Sequence, residues 1–164
     1  VQKIKNNRGF TLVEVIIAIG VIALASVIIL QLFITAKNLN QKSTDLDKSI
    51  LASTSIVELI KSGEAPDDIK ANPSAEHAFI DESNDIININ MYYDDNWHLI
   101  ESKDTNLGYT LTAIISPTSS ISPKDNKTSK AYAIEIRVIK AKPYPLEKSF
   151  NKEIYSLETI RYFD

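Results

Sequence analysis

The sequence predicts an α+β fold in which one long amino-terminal helix lies on an antiparallel β-sheet. Three observations carry this expectation. Residues 10–36 form an unbroken apolar run, a helical apolar stripe continues it to about residue 62, and beyond Gly63 the apolar period falls from between three and four residues to two. A chain of 164 residues suffices for one compact domain plus an anchor, and is too short for two ordinary domains.

Taken in order, the first nine residues carry Lys3, Lys5 and Arg8 and no acid. Three cations ahead of an apolar run hold that end in the cytoplasm and send the carboxy-terminal side out. The run itself is long enough to cross a hydrocarbon core of about 30 Å as a helix rising about 1.5 Å per residue. Of the chain's 18 bases and 21 acids, only Glu14 falls inside it. A carboxylate in hydrocarbon costs on the order of 2.5–3.5 kcal/mol, so it calls for a partner. The residues alone admit a cleaved secretory signal or a signal anchor. The apolar run is too long for the first, whose apolar region spans about 7–15 residues.

The order Gly9-Phe10-Thr11-Leu12-Val13-Glu14, behind a short basic leader and ahead of Val15-Ile16-Ile17-Ala18-Ile19-Gly20-Val21-Ile22-Ala23-Leu24, closely resembles the amino terminus of type IV prepilins and of the related pseudopilins. The resemblance covers about the first 36 residues. It implies cleavage by a prepilin peptidase between Gly9 and Phe10, N-methylation of Phe10, and pairing of Glu14 with the new amine of a neighbouring subunit. A buried charge is tolerated when a specific opposite charge neutralises it. Loss of the three leader cations would take the net charge from −3 to −6.

Between Lys37 and Lys61 there is no Pro or Gly, and Leu39, Leu46, Ile50, Val57 and Ile60 trace one helical stripe. The stripe is expected to be core, packed on the sheet, and not a partner surface. Gly63 and Pro66 supply a stop. The helix would then span about 80 Å at 1.5 Å per residue. Many major pilins carry a Pro in the apolar half where this chain has Leu30-Gln31-Leu32, a departure that bears on how the helix bends in a filament. The domain plan is therefore a leader at 1–9, a membrane and assembly helix at 10–36, its amphipathic continuation at 37–62, and an exported β-rich head at 63–164.

Residues 64–75 read as a loop with a short helical turn at 67–70. Ile87, Ile89 and Met91 alternate with Asn88 and Asn90, giving one apolar and one wet face. Asp94-Asp95-Asn96 signals a turn before Trp97-His98-Leu99-Ile100, which predicts a hairpin. Leu107 to Ile115 alternates again, residues 117–130 form a polar loop, and Tyr132, Ile134, Ile136 and Val138 make the clearest strand. The amphipathic run from Ile154 to Phe163 closes a sheet of four or five strands. The last third resembles minor pilins of the V type and their type II secretion counterparts of the I type.

Other chemistry is weakly represented. A net charge of −3 offers no basic face for nucleic acid, and the absence of Cys removes disulfides, thiol nucleophiles and thiolate metal sites. His77 and His98 lack metal-ligand spacing. Asp81-Glu82 with Asn84-Asp85, and Asp94-Asp95-Asn96, lack the calcium-loop pattern and read as solvated turns. No nucleophile motif is present, and the four glycines, at 9, 20, 63 and 108, build no phosphate loop. Trp97 is expected to fill space between sheet and helix, while Tyr92-Tyr93 could dock a ligand or subunit.

The expected protein is therefore a structural subunit, not an enzyme, with no metal or cofactor. It would be a minor pilin or pseudopilin of a pilus-like filament, serving motility, adhesion, secretion or competence. The expected partners are other pilins, the prepilin peptidase, the assembly platform and ATPase, and membrane lipid before assembly. Its location would be a single-pass cytoplasmic membrane protein and then a filament. The alternative of another class is a signal-anchored binding or sensor domain that never assembles.

Overall fold

The computed structural model describes residues 11–63, 78–83, 85–101, 106–118 and 130–163. It contains one helix, α1 (Leu12–Ser62), and six strands: β1 (Phe79–Ser83), β2 (Ile86–Tyr93), β3 (Leu99–Ile100), β4 (Tyr109–Thr118), β5 (Lys130–Lys140) and β6 (Lys152–Phe163). The strands form one antiparallel sheet in the order β1-β2-β4-β5-β6, with β3 also paired to β2. The predicted α+β class and the stop before Gly63 are thus observed. The expected loop and helical turn within residues 64–75, and His77, lie outside the described residues.

Two compact units divide the chain between Gln41 and Lys42, within α1. In the first unit α1 is long and apolar enough to cross a membrane, and its large side chains from Leu12 to Phe33 are exposed. Two hydroxyls there are satisfied locally. Ser26 and Thr35 donate to the carbonyls of Ile22 and Gln31, one turn back (2.8 and 2.9 Å), which removes their cost in hydrocarbon. The residues Leu30-Gln31-Leu32 continue the helix without a break.

In the second unit strand alternation does what the sequence asks of it. Ile87, Ile89, Met91 and Tyr93 of β2 lie beside Tyr109, Leu111, Ala113 and Ile115 of β4, which in turn oppose Val138, Ile136 and Ile134 of β5. This row is buried with Ile56, Val57, Leu59 and Ile60 of α1, each fully buried side chain contributing about 1.5–3 kcal/mol. A register shift after Val138 leaves Ile154 as an extra residue in β6. Consecutive Ile154 and Tyr155 then both pack against the core, as a bulge permits. Arg161 of β6 donates to the carbonyls of Ile60 and, at 2.8 Å, of Gly63. Those carbonyls are the ones a helix end leaves without partners, and a cation suits the negative end of the dipole.

The helix face against the sheet differs from the one expected. Val57 and Ile60 are core, but Leu39, Leu46 and Ile50 are 62%, 41% and 40% exposed. The buried row is Asp45, Ser49 and Ser53, continued by Ile56 and Ile60. Asp45, Ser49 and Ser53 share one helix face at i, i+4 and i+8, and the rings of Trp97, Tyr109 and Tyr144 converge on Asp45. Those rings carry polar groups, and Asp45 answers them. The apolar stripe is rotated off the interface as a result.

The hairpin expected around residue 95 is present, with Tyr93 opposite Leu99 and Tyr92 opposite Ile100. Asp94 builds its turn: Oδ1 accepts from the backbone N–H groups of Asn96 and His98 (both 2.8 Å), and its carbonyl accepts from Trp97 N–H (3.1 Å). Trp97 takes a positive φ of 66° there, a conformation bulky residues seldom adopt. The turn directs its ring onto Tyr109, with centroids 4.1 Å apart and planes at 22°. The space-filling role expected of Trp97 is met.

Candidate functional site

The start of α1 is the first place where chemistry concentrates. Thr11 stands immediately before the helix, and its Oγ1 accepts from the backbone N–H of Glu14 (3.3 Å). Glu14 reaches back: its Oε2 accepts from the Thr11 backbone N–H (3.0 Å) and from the Thr11 hydroxyl (3.2 Å). This reciprocal pair is a capping box, which satisfies donors that the first turn leaves open. It also sets a negative group at the positive end of the helix dipole. Both Thr11 contacts fall on Oε2. Among the described residues Oε1 has no partner, and the Glu14 side chain is exposed at the end of an apolar helix.

Of the predicted site residues, Glu14 is therefore placed in the first turn, while Gly9 and Phe10 lie outside the described residues. Thr11 went unremarked in the sequence. Its signal was present, since Thr-x-x-Glu ahead of an apolar run is the capping-box pattern.

A second polar cluster lies in the head. Asp45 Oδ1 accepts from the Tyr109 hydroxyl (2.7 Å) and the Trp97 Nε1–H (3.4 Å), and Oδ2 accepts from the Tyr144 hydroxyl (2.9 Å). Lys140 Nζ stands 3.2 Å from Oδ2 and donates to the Tyr109 hydroxyl (2.6 Å). The same ammonium lies over the Tyr109 and Tyr144 rings, 4.2 and 4.9 Å from their centroids. Burial pushes the phenols of Tyr109 and Tyr144 well above their ordinary range, and the hydrogen bond each gives Asp45 pushes further. Every member has a partner, and the cluster joins α1 to the opening of β4, the end of β5 and the loop after it. Its geometry is that of a fastening, with no nucleophile or open ligand position.

His98 Nδ1 contacts Asp94 Oδ2 at 3.2 Å as part of the hairpin turn. Among the described residues no group of three or more His, Asp or Glu side chains could hold a metal.

Compared with known proteins, residues 4–30 match a family model described as a prokaryotic N-terminal methylation motif. No curated protein and no solved structure matches the chain. The chain thus carries the prepilin-like leader motif, and with the long apolar helix behind it this supports a protein of the type IV pilin or pseudopilin kind, suited to a single-pass membrane anchor.

Proposed function

We propose that this chain is a structural subunit, a minor pilin or pseudopilin, of a type IV pilus-like filament. The observation that carries the reading is the methylation motif over residues 4–30, which includes the Gly9-Phe10 junction and Glu14. A peptidase removes residues 1–9, Phe10 becomes a methylated amine, and the mature helix waits in the membrane with its head outside. The Glu14 carboxylate then pairs with the Phe10 amine of a neighbouring subunit. Both charges are costly in hydrocarbon alone and tolerable together. Bundling of apolar helices in the filament core removes their exposed side chains from lipid, and the platform protein, ATPase and other pilins are separate chains. The capping box supports this reading, because it fixes the Glu14 carboxylate in the first turn while leaving Oε1 for a donor from outside.

Mass spectrometry of the native protein tests it. The expected product begins at N-methylated Phe10 and is recovered with filaments sheared from cells. A chain retaining Val1 in cells with an active prepilin peptidase overturns the proposal and favours an anchored sensor or binding domain.

A further inference from the structure

Among the described residues of the head, the two most exposed large apolar side chains are Leu146 and Phe150, at 81% and 69%. Both stand on the loop between β5 and β6. Asn151 N–H closes the loop at its base on the Ala141 carbonyl (3.3 Å), and within it Glu147 N–H bonds the Tyr144 carbonyl (2.9 Å). Between those bonds Leu146 takes φ 68°, a backbone state that bulky residues seldom adopt. The head's own packing gives no reason for a strained turn that carries a leucine outward. A loop already ordered loses little entropy on docking.

The loop sits where the head begins along α1. Glu147 is paired with Lys42 (2.5 Å), and the Tyr144 hydroxyl with Asp45 (2.9 Å). From there β6 runs along α1 to Arg161, which holds the carbonyls of Ile60 and Gly63 at the opposite end. Six residues of chain lead from Ala36, the last of the apolar run, to Lys42. As helix they rise about 9 Å, against a polar layer of roughly 5–7 Å outside the hydrocarbon. The run itself has 27 residues, about 40 Å of helix against a core of roughly 30 Å. Tilt takes up such an excess, and it leans the residues that follow toward the surface.

Charge at this end does not oppose a membrane. Glu147, the loop's only acid, is neutralised by Lys42 and by Lys152 (3.2 Å). Asp95 of the hairpin is paired with Lys142 (2.5 Å), Asp94 is spent on its own turn and on His98, and Asp45 is buried against Lys140. Asp47 and Glu153 lie outside the loop, each next to a lysine, Lys48 and Lys152. That leaves Lys148, between Leu146 and Phe150, exposed and without an ion pair among the described residues. An ammonium between two apolar side chains suits a headgroup layer, with the apolar groups below and the charge at the phosphates.

We propose that the β5–β6 loop docks the head on an anionic bilayer. Leu146 and Phe150 enter the boundary between headgroups and acyl chains, and Lys148 meets lipid phosphate. The bilayer is the one the chain's own helix spans. Chain connectivity keeps the loop within reach of that surface, so a contact too weak to recruit a soluble protein is enough to hold the head down. The proposal rests on the function proposed above only for the inserted helix. It adds a docked state of the head, which ends when assembly draws the helix out of the bilayer.

The chain has no Cys, so one introduced thiol carries one label. Full-length Ser149→Cys, bearing an environment-sensitive dye, is reconstituted into vesicles of phosphatidylcholine and phosphatidylglycerol, with and without a lipid carrying a nitroxide at headgroup level. Lys61→Cys, at the far end of α1, is the reference. The label at 149 is expected to emit at shorter wavelength and to be quenched several-fold more than the label at 61. Leu146→Asn with Phe150→Ser is expected to abolish that difference; Asn takes a positive φ more readily than Leu, so the loop keeps its backbone. Lys148→Glu is expected to weaken the quenching several-fold. Equal quenching at the two positions, or quenching indifferent to either change, overturns the proposal. So does a signal at 149 that follows the protein-to-lipid ratio and ignores the nitroxide, which assigns the loop to a second copy. Flotation of the vesicles after an alkaline wash scores insertion separately. Chain that floats with an unquenched loop sinks the docking alone, and chain that is washed off sinks the inserted helix as well.

Discussion

Replacing Asp45 by Ala removes the acceptor of three donors and the counter-charge of Lys140 in one step. Tyr109, Tyr144 and Trp97 each lose a hydrogen bond, and the Lys140 ammonium, 4% exposed, keeps only the Tyr109 hydroxyl and two ring faces. Breaking a buried pair by deleting one partner costs about 3–5 kcal/mol. An unpaired buried donor costs about 1–3 kcal/mol, but these terms overlap and do not sum. The expected loss is therefore about 3–5 kcal/mol, a fall of roughly two to three and a half powers of ten in the folded-to-unfolded ratio. Asp45→Leu with Lys140→Met removes both charges, and is expected to regain most of that loss, because the cost lies in the stranded charge and not in the missing attraction. Urea unfolding of the full-length chain in detergent, followed by fluorescence of Trp97, measures both; Trp97 is the sole tryptophan and sits in the cluster. A loss below about 1 kcal/mol for the single variant, or a double variant no better than the single, refutes the fastening role.

Glu14→Ala is expected to leave membrane insertion intact or improved and to reduce incorporation into filaments, read by blotting sheared filaments against membranes; normal incorporation refutes the pairing. Gly108→Ala is expected to destabilise the head measurably in the same urea assay. A Cβ there would lie 2.6 Å from the backbone of Asp94 and Asp95, which cannot step aside as a side chain could, and unchanged stability would show that the hairpin turn yields. Ser53→Ala should hold or raise stability by about 1 kcal/mol, since the buried hydroxyl has no hydrogen-bond partner among the described residues and its removal relieves that cost. A loss above about 1 kcal/mol would contradict it. The head should be most stable across neutral pH. Burial raises the phenols of Tyr93, Tyr109 and Tyr144 above 10.0, so their contribution is present below that pH and disappears as pH climbs beyond it. The backbone N–H of His98 lowers Asp94, and Lys42 lowers Glu147, so their contribution holds above the ordinary carboxylate range and fades as pH falls through it. Midpoints that do not fall at either extreme would refute these assignments.

Local chemistry was legible in the sequence where a single segment decides its own structure. Gly63 ends the helix it was expected to end, the alternations in β2, β4 and β5 face as read, and Asp94 makes the turn it signalled. The strand β1 was missed because Phe79-Ile80-Asp81-Glu82-Ser83 has no clean alternation and gains its place from pairing with residues 86–90. The buried face of α1 was misread for a related reason. Asp45 sits in the run Lys42-Ser43-Thr44-Asp45-Leu46-Asp47-Lys48, which reads as a solvated surface. What draws it inward is Lys140, 95 residues away, together with two tyrosines and a tryptophan that become neighbours only once the sheet exists. A helical stripe in a sequence finds apolar residues, and cannot report that a polar row has been matched by a distant cation.

Helix α1 carries two acids in unusual surroundings, and comparing them sharpens the filament proposal. At Asp45 both carboxylate oxygens are occupied: Oδ1 by Tyr109 and Trp97, and Oδ2 by Tyr144 and Lys140. Nothing about it calls for another molecule, and its job ends within the chain. At Glu14 the capping box occupies Oε2 alone, and neither of its donors is a cation. In water the remaining oxygen would be hydrated at no cost. In an apolar helix crossing a bilayer it is a lone charge, which the chain's own described residues do nothing to neutralise. The capping box holds that charge in place without cancelling it. If the proposed cleavage at Gly9-Phe10 occurs, the same event that trims the chain supplies the missing cation, at the amine of Phe10. The amine of the same chain sits next to Thr11, whose N–H and hydroxyl already hold Oε2. The oxygen left over is then better matched to a neighbour's amine than to its own, which makes membrane depth the quantity that aligns one subunit with the next.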